Sequence, residues 1–405
     1  MRTISLQVSR VGAYIITSLF ILLSLTLAGP GLRADMIAEP LEKERQLADL
    51  YQSKIMAFWN EHGERRDFFG VGGVHIAAMA FPHRMAKEGI VVSSGYGESF
   101  IKYREVVYDL WQAGYQVYIL DHRGQGLSER LIKPSKMQQT EPAVVKRIHD
   151  LGYVENFGDF VDDLKTFVER EAKPANERLF LLAHSMGGAI ASLYLERFST
   201  DFAAAALSAP MHQPDLSPIP NNACWLLRLG SRASYVWGRG PYVSREFDAD
   251  RDLTGSRIRY EILKRGELDR HPQAQLGGPS FKWAHEGCLA SARSVRDAGL
   301  IAVDVLLFQA DDDRVVKAYG QQKFCVTMNA ARLGSCQLRV IAGARHELLL
   351  EKDVYRDRVI DETLAFFKQR GRRQQPSKMS EQHTRSGDRV WQFRCGCPCS
   401  PFRLR

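Results

Sequence analysis

A serine followed closely by two glycines stands at the end of an apolar run in this chain. The run Leu181–Gly188 reads LLAHSMGG. Because a serine hydroxyl is a weak nucleophile at neutral pH, a hydrolase must expose its oxygen, supply a base and place donors for the developing oxyanion. A sharp strand-to-helix turn exposes the oxygen, and small residues after the serine let that turn pack tightly. Ala183 replaces the first glycine of the usual Gly-x-Ser-x-Gly pattern and is the smallest alternative. We therefore predict that Ser185 is a nucleophile.

A histidine that can serve this hydroxyl as a base follows a later apolar run. His346 comes shortly after the strand-like residues 337–341. In hydrolases with an elbow serine, the acid and then the histidine follow the serine in chain order. We predict that His346 takes the proton from Ser185 and later returns it to the leaving alcohol.

Three consecutive aspartates compete for the role of orienting acid. Asp311, Asp312 and Asp313 follow the strand-like residues 302–309. The acid must hold the imidazole in one tautomer and stabilise its cation. We predict Asp313, because the chain re-enters apolar packing at Val315 directly after it and can fix the carboxylate. Asp312 is the alternative, and the remaining acids are interpreted as parts of a solvated turn.

The oxyanion of an acyl-transfer reaction needs two backbone donors. One is expected from Met186, which follows the nucleophile, and the other from an earlier loop at a strand end. The run Ser94–Glu98, with the sequence SGYGE, occupies that place, and Tyr96 would supply the second N–H. An ordinary glycine turn is the alternative interpretation of this loop.

Strand-like and helix-like segments alternate through the body of the chain. Strands that are apolar throughout and alternate with helices predict a mostly parallel sheet with helices on both faces, which is an α/β fold. The ends of parallel strands meet at one edge of the sheet, so the loops above should lie together. The predicted strands are 89–93, 114–120, 178–183, 203–208, 302–309 and 337–341, and the predicted helices are 39–58, 103–113, 153–171, 188–198, 317–332 and 354–369.

The alternation breaks once, which predicts an inserted cap. Residues 211–299 are rich in prolines, arginines and aromatics and show no clear strand pattern. They divide the core into a first part, 35–210, and a second part, 300–370. Aromatic walls with a few guanidinium groups would suit a lipid with one apolar tail and an anionic phosphodiester. A cap core with a solvated charged face is an equally good interpretation, so no head-group ligand is predicted.

Charge is concentrated in the C-terminal segment. The formal net charge is +8, and residues 371–405 hold eight Lys and Arg against two Asp and Glu. The body has no basic stripe with interleaved aromatics, so no nucleic-acid partner is expected. We predict a disordered tail for 371–405, whose run Cys395–Cys399 lacks the spacing of a zinc site.

The N-terminal residues 1–34 have the pattern of a secretory signal or a signal anchor. Arg2 and Arg10 precede an uncharged, Ile- and Leu-rich stretch from Val11 to Ala28. This pattern predicts export, either as a cleaved periplasmic or secreted protein or as an inner-membrane protein facing the periplasm. An exported compartment permits disulfides, and the seven cysteines are an odd number. Cys325 and Cys336 are the nearest pair in the body, although sequence alone does not establish a bridge.

Four short runs together resemble the α/β-hydrolases of the monoacylglycerol lipase and lysophospholipase type. The resemblance extends from about Phe68 to Phe367. The runs that carry it are 94–98 (SGYGE), 121–128 (DHRGQGLS), 183–188 (AHSMGG) and 343–348 (GARHEL). The residues Asp121, His122 and Arg123 look catalytic, but they end a strand distant in order from the triad, and bracing of the sheet edge is the favoured interpretation.

The resemblance implies a serine hydrolase that cleaves the acyl ester of a lysophospholipid through an acyl-enzyme intermediate. Carried over by position, Ser185, Asp313 and His346 are the triad, and Tyr96 and Met186 are the oxyanion donors. Neither a cofactor nor a metal is expected, and a membrane surface is the expected source of substrate. A monoacylglycerol lipase or general carboxylesterase is the main alternative, and a non-catalytic lipid-binding scaffold is a further one.

Overall fold

The computed structural model describes residues 46–217, 219–220 and 223–373. Within these residues, the strands are β1 (Glu64–Arg65), β2 (Phe68–Phe69), β3 (His75–Ile76), β4 (Ala78–Phe81), β5 (Glu88–Ser93), β6 (Gln116–Leu120), β7 (Arg178–His184), β8 (Ala204–Ser208), β9 (Asp304–Asp312) and β10 (Cys336–Arg345). Eight of them form one sheet in the order β1-β4-β6-β5-β7-β8-β9-β10, and β2 pairs with β3 separately. The strands from β5 to β10 pair in parallel, whereas β1 and β4 are antiparallel to their neighbours.

Helices connect the parallel strands and cover both faces of the sheet. Residues 46–50 and a π-helical turn, Tyr51–Ile55, lead into the first helix. The helices are α1 (Met56–His62), α2 (Arg104–Gln112), α3 (Pro142–His149), α4 (Gly158–Phe167), α5 (Met186–Phe198), α6 (Arg257–Arg259), α7 (Glu267–Arg270), α8 (Phe281–Arg296), α9 (Ala318–Ala331) and α10 (Asp353–Arg373). The predicted fold class is confirmed, because parallel strands buried on both faces require helices on each side.

Two apolar cores lie on opposite faces of the sheet. Alternate residues of each strand point to opposite faces, so Leu181 enters one core and Leu182 the other. Helices α4, α5, α8 and α9 pack on the first face, and α1, α2 and α10 pack on the second. The interior of the sheet is therefore shielded from water on both sides, while the carboxyl ends of its strands carry the polar loops.

The structure corrects several predicted boundaries and adds elements that the sequence did not indicate. The predicted helix 153–171 begins at Gly158, and its last turn is the π-helical segment Val168–Ala172. Strand β10 extends four residues beyond the predicted 337–341, because a shift of register carries the ladder on to Arg345. The antiparallel strands β1 and β4 were missed, since a two-residue strand and a short run have too few residues to show a period.

The segment predicted as a cap contains helical pieces and isolated bridges rather than strands in its described residues. A 3₁₀ turn at Cys224–Leu229 precedes α6 and α7, which are joined by π-helical residues Tyr260–Gly266. The last helix of the segment, α8, packs against α5 and α9 and so belongs to the layer that covers the sheet.

Two disulfide bonds lie in the described part of the chain. Cys224 is bonded to Cys288, which ties the 3₁₀ turn of the inserted segment to α8. Cys325 is bonded to Cys336, which ties α9 to the start of β10. The predicted leader 1–34 and tail 371–405 fall outside the described residues except for 371–373, and no described helix is long and apolar enough to cross a membrane.

The turn after β7 forces Ser185 into an unusual backbone conformation. Its φ is 51° and its ψ is −117°, a region that costs a non-glycine residue about 1–3 kcal/mol. The Ser185 N–H donates to the Ser208 carbonyl at 3.0 Å, and the Ser185 carbonyl accepts from the N–H groups of Gly188 and Met211 at 2.9 and 2.8 Å. These bonds hold the strained residue in place at the start of α5.

Replacement of Gly187 by alanine is expected to destabilise the fold. A Cβ at this position would overlap the Ser93 carbonyl, which belongs to the sheet and cannot move aside. We expect Gly187→Ala to lower the free energy of unfolding by about 1–3 kcal/mol, measured by denaturant titration. Gly158→Ala is the matched control, because a Cβ at that helical glycine meets nothing within 4 Å. An equal stability of the two variants would contradict this account of the elbow.

Candidate active site

The structure brings Ser185, His346 and Asp313 into one hydrogen-bonded line. His346 Nε2 lies 2.9 Å from Ser185 Oγ, and His346 Nδ1 lies 2.8 Å from Asp313 Oδ2. The serine follows β7, the aspartate follows β9 and the histidine follows β10, so three strand ends converge at one edge of the sheet. In this arrangement the histidine can accept the serine proton while the carboxylate fixes its tautomer.

Asp313 is held as a charged acceptor. Burial raises the pKa of this carboxyl, but the adjacent His346 and the N–H groups of Val315 and Val316 outweigh it, and the net pKa lies below its ordinary value. The two N–H groups donate to Asp313 Oδ1 at 2.8 and 2.9 Å. The backbone that follows Asp313 therefore holds its Oδ1, while its Oδ2 accepts from His346.

The alternative aspartate points elsewhere. Asp312 contacts the guanidinium groups of Arg314 and Arg345, and its side chain is 44% exposed. Because β9 ends at Asp312, successive residues turn in different directions, and only Asp313 reaches His346.

The two residues predicted as oxyanion donors follow neighbouring strands of the sheet. Met186 is the first residue of α5, where N–H groups have no partner within the helix. Tyr96 lies in the loop after β5, the strand adjacent to β7. That loop is held by Gln125, whose side-chain amide donates to the Gly95 carbonyl at 2.7 Å and whose oxygen accepts from the Gly97 N–H at 3.2 Å.

The side chain of Tyr96 contacts the inserted segment. Its hydroxyl donates to the Gly277 carbonyl at 3.1 Å, and its ring meets that of Trp283 edge to face at 4.4 Å. Ser185 and His346 are buried, with 7% and 3% exposure. By contrast, Trp225 and Trp237 of the inserted segment are largely exposed.

A buried charge network beneath the triad was not predicted from the sequence. The Lys102 ammonium donates to Glu347 Oε2 at 2.7 Å and also bonds Glu98. Glu98 in turn accepts from the Gly95 N–H at 2.6 Å. Next to Glu347 lies His184, with its Nε2 3.4 Å from the carboxylate. Three catalytic loops thus share one network, whose members come from distant parts of the chain.

Three members of this network have side chains of the types that bind metals. The ligand atoms of Glu98, His184 and Glu347 all lie within 4.8 Å of one another. Lys102 already bonds both carboxylates, so the cation that these two groups hold is its ammonium. We therefore assign the cluster to an internal ion network.

The Asp121 loop braces the sheet edge, as interpreted from the sequence. The Asp121 carboxylate accepts from the Ser99 hydroxyl at 2.7 Å and from the Phe100 and Leu127 N–H groups. Arg123 forms a buried ion pair with Asp163 at 2.6 Å. Neither side chain contacts the triad.

The sheet order, the elbow after β7 and the histidine loop after β10 define a serine α/β-hydrolase. The chain belongs to the family described as serine aminopeptidase, S33, whose model matches residues 84–353. The resemblance stated above is confirmed, and the protein is a hydrolase.

Two curated relatives and one solved structure illustrate the likeness. Lysophospholipase L2 of Escherichia coli (strain K12) is 34% identical over 333 residues, which cover 80% of this chain and 93% of that protein. Monoacylglycerol lipase of Mycolicibacterium smegmatis is 34% identical over 292 residues, covering 71% and 91%. A soluble variant of monoglyceride lipase from Saccharomyces cerevisiae, solved with a substrate analog, shares the fold with a TM-score of 0.55, 20% identity and coverage of 76% and 96%.

Asparagine substitutions at the two competing aspartates should have opposite outcomes. Asp313→Asn leaves a group that no longer fixes the imidazole tautomer, and we expect ester hydrolysis to slow by roughly 10³–10⁴-fold. Asp312→Asn should retain most of the rate, because its carboxylate contacts two arginines and not His346. Initial rates on a p-nitrophenyl ester measure both. Equal losses in the two variants would contradict the assignment of the acid.

Proposed function

We propose that this chain is a lysophospholipase that hydrolyses the remaining acyl ester of a lysophospholipid. The observation that carries the proposal is the aligned Ser185–His346–Asp313 set in a chain that covers 93% of a protein named Lysophospholipase L2. The reaction releases a fatty acid and a glycerophosphodiester.

The proposed mechanism is a double displacement at Ser185. His346 Nε2 accepts the hydroxyl proton while Oγ attacks the ester carbonyl, and the N–H groups of Tyr96 and Met186 stabilise the oxyanion. Collapse of the tetrahedral intermediate expels the glycerophosphodiester alcohol, which receives the proton from His346. A water molecule then repeats the sequence on the acyl-enzyme, so that fatty acid leaves and the serine is regenerated. Asp313 stabilises the transient imidazolium in both halves.

We propose that the inserted segment governs which ester reaches the serine. The carbonyl of Gly277, which precedes α8, accepts from the Tyr96 hydroxyl, so this segment meets the loop that carries one proposed oxyanion donor. The boundary predicted at 211–299 stays a prediction, and the substrate-selecting part is proposed to precede α8, since α8 packs in the core layer.

We also propose export of the chain, with the membrane as the source of substrate. The apolar stretch after Arg10 supports this proposal, and so do the two disulfides, because such bonds persist in oxidising compartments. Anchoring and cleavage of the leader remain alternative predictions.

A second candidate function is monoacylglycerol hydrolysis. The relative from Mycolicibacterium smegmatis, which carries that name, is also 34% identical to this chain. Both activities use the same triad, so only the substrate distinguishes them.

A substrate panel should separate these candidates. We expect kcat/KM for lysophosphatidylcholine or lysophosphatidylethanolamine to exceed that for a monoacylglycerol of the same acyl chain and for a short p-nitrophenyl ester. Release of the carboxylic acid measures all four reactions, with Ser185→Ala as the blank. A higher kcat/KM for the monoacylglycerol would favour the second candidate, and a higher value for the short ester would favour a general carboxylesterase.

Covalent labelling should distinguish an enzyme from a non-catalytic scaffold. We expect a fluorophosphonate probe to label the wild-type protein once, since the hydroxyl of Ser185 has a base at 2.9 Å. Ser185→Ala should give no label, whereas Ser192→Ala, at another buried serine, should retain it. A folded wild-type protein that the probe does not label would support the scaffold.

A further inference from the structure

His184 is the last residue of β7, directly before the nucleophile, and its ring contacts the end of β8 and the loop of His346. It is 2% exposed. Its Nδ1 is 3.1 Å from the Ser208 carbonyl oxygen, and its Nε2 is 3.4 Å from Glu347 Oε2. The ring also lies 5.0 Å from the ring of His346, centroid to centroid. A side chain with these contacts bears on the geometry of the site without touching the substrate.

Both ring nitrogens of His184 face acceptors. A backbone carbonyl can only accept, so Nδ1 must carry a proton to bond Ser208. A carboxylate is also an acceptor, so Nε2 must carry a proton to bond Glu347. The Ser208 hydroxyl lies further from Nδ1, at 3.4 Å, than the carbonyl does. The ring that satisfies both contacts is the imidazolium.

One of these acceptors is bonded to the nucleophile, and the other is next to the base in the chain. The Ser208 carbonyl also accepts the N–H of Ser185 at 3.0 Å, so it anchors the strained nucleophile. Glu347 directly follows His346 in the chain. A bridge from Ser208 through His184 to Glu347 therefore fixes the separation of the serine hydroxyl and the base.

The same bridge reaches the loop that carries Tyr96. Lys102 connects Glu347 to Glu98, which accepts the Gly95 N–H. A Cβ on Gly95 would lie 3.2 Å from the His184 ring, so this loop packs directly on the histidine. The network thus joins the segments that carry Tyr96, Ser185 and His346, while the Asp313 loop meets the site through His346.

We propose that His184 is a positioning residue that holds the site in its active geometry only while it is protonated. The proposal rests on the proposed hydrolase function. Loss of the proton from His184 breaks one of its two bonds, which releases the link between the nucleophile loop and the loop of His346. Activity then falls as the pH rises.

The charges around His184 favour its cation. Burial lowers the pKa of the imidazole, but the hydrogen bond to Glu347 and the charges of Glu98 and Glu347 outweigh burial and the opposing charge of Lys102, so the net pKa is raised. Although burial raises the pKa of Glu347, the charges of Lys102 and Lys264 and its contact with His184 bring it well below its ordinary value. His346 is a further titratable group against the ring.

The test is the pH dependence of kcat/KM on a soluble p-nitrophenyl ester, with Ser185→Ala as the blank at each pH. The wild-type enzyme should lose activity at alkaline pH. In Glu347→Gln, loss of the carboxylate removes a stabilising charge from the imidazolium, so the midpoint of this alkaline fall should move to lower pH by about one unit or more. In His184→Gln the fall should be absent, with a reduced rate at all pH values.

Glu267→Gln is the matched control. Glu267 is 2% exposed and borders the same cavity of about 90 Å³ as Glu347, but Arg104 and Arg270 bind it, and the midpoint should not move. A Glu347→Gln profile that superimposes on the wild type after scaling would overturn the proposal. A His184→Gln enzyme that keeps the wild-type alkaline midpoint would also overturn it, and so would a wild-type enzyme whose activity does not fall at alkaline pH. If Glu347→Gln does not fold, the pH profile of His184→Gln decides alone. A wild type that neither hydrolyses esters nor reacts with fluorophosphonate would instead refute the proposed function.

Discussion

The active site depends on the hydrogen bond from the Ser185 N–H to the Ser208 carbonyl across the ends of β7 and β8. A serine with a φ of 51° is strained, and only its surroundings can hold it there. Parallel pairing of β7 with β8 places the carbonyl, and the glycines after the serine let α5 begin without a clash. Because the nucleophile is fixed to the sheet itself, the base and the oxyanion loop need only be fixed relative to the same strand ends.

The loops that meet this serine are joined by buried charges. A loop at a strand end would ordinarily be among the more mobile parts of a protein. Here Lys102 and Glu347 carry opposite charges in a site with little access to water, where removal of one partner would leave an uncompensated charge. The arrangement therefore favours a single geometry of the loops over any in which they separate.

The order of catalytic residues and the parallel core were predictable because both leave local signals in the sequence. Apolar runs predict strands buried on both faces, and Ser185, Asp313 and His346 each stand just beyond such a run. The packing of Glu98, His184 and Glu347 was not predictable. Glu98 and Glu347 lie in different loops and His184 ends β7. Charged or histidine residues beside a motif are more often solvated than buried, so only the folded arrangement brings the three together.

In the proposed reaction, Ser185 receives the acyl group of a lysophospholipid. The most direct measurement is mass spectrometry of the enzyme after rapid acid quenching during turnover of lysophosphatidylcholine, followed by peptide mapping. One fatty acyl group is expected on the peptide that contains Ser185, formed and lost at rates consistent with turnover. Acylation of another residue would contradict this mechanism. So would full turnover with no acylated protein under conditions that slow hydrolysis of the acyl-enzyme.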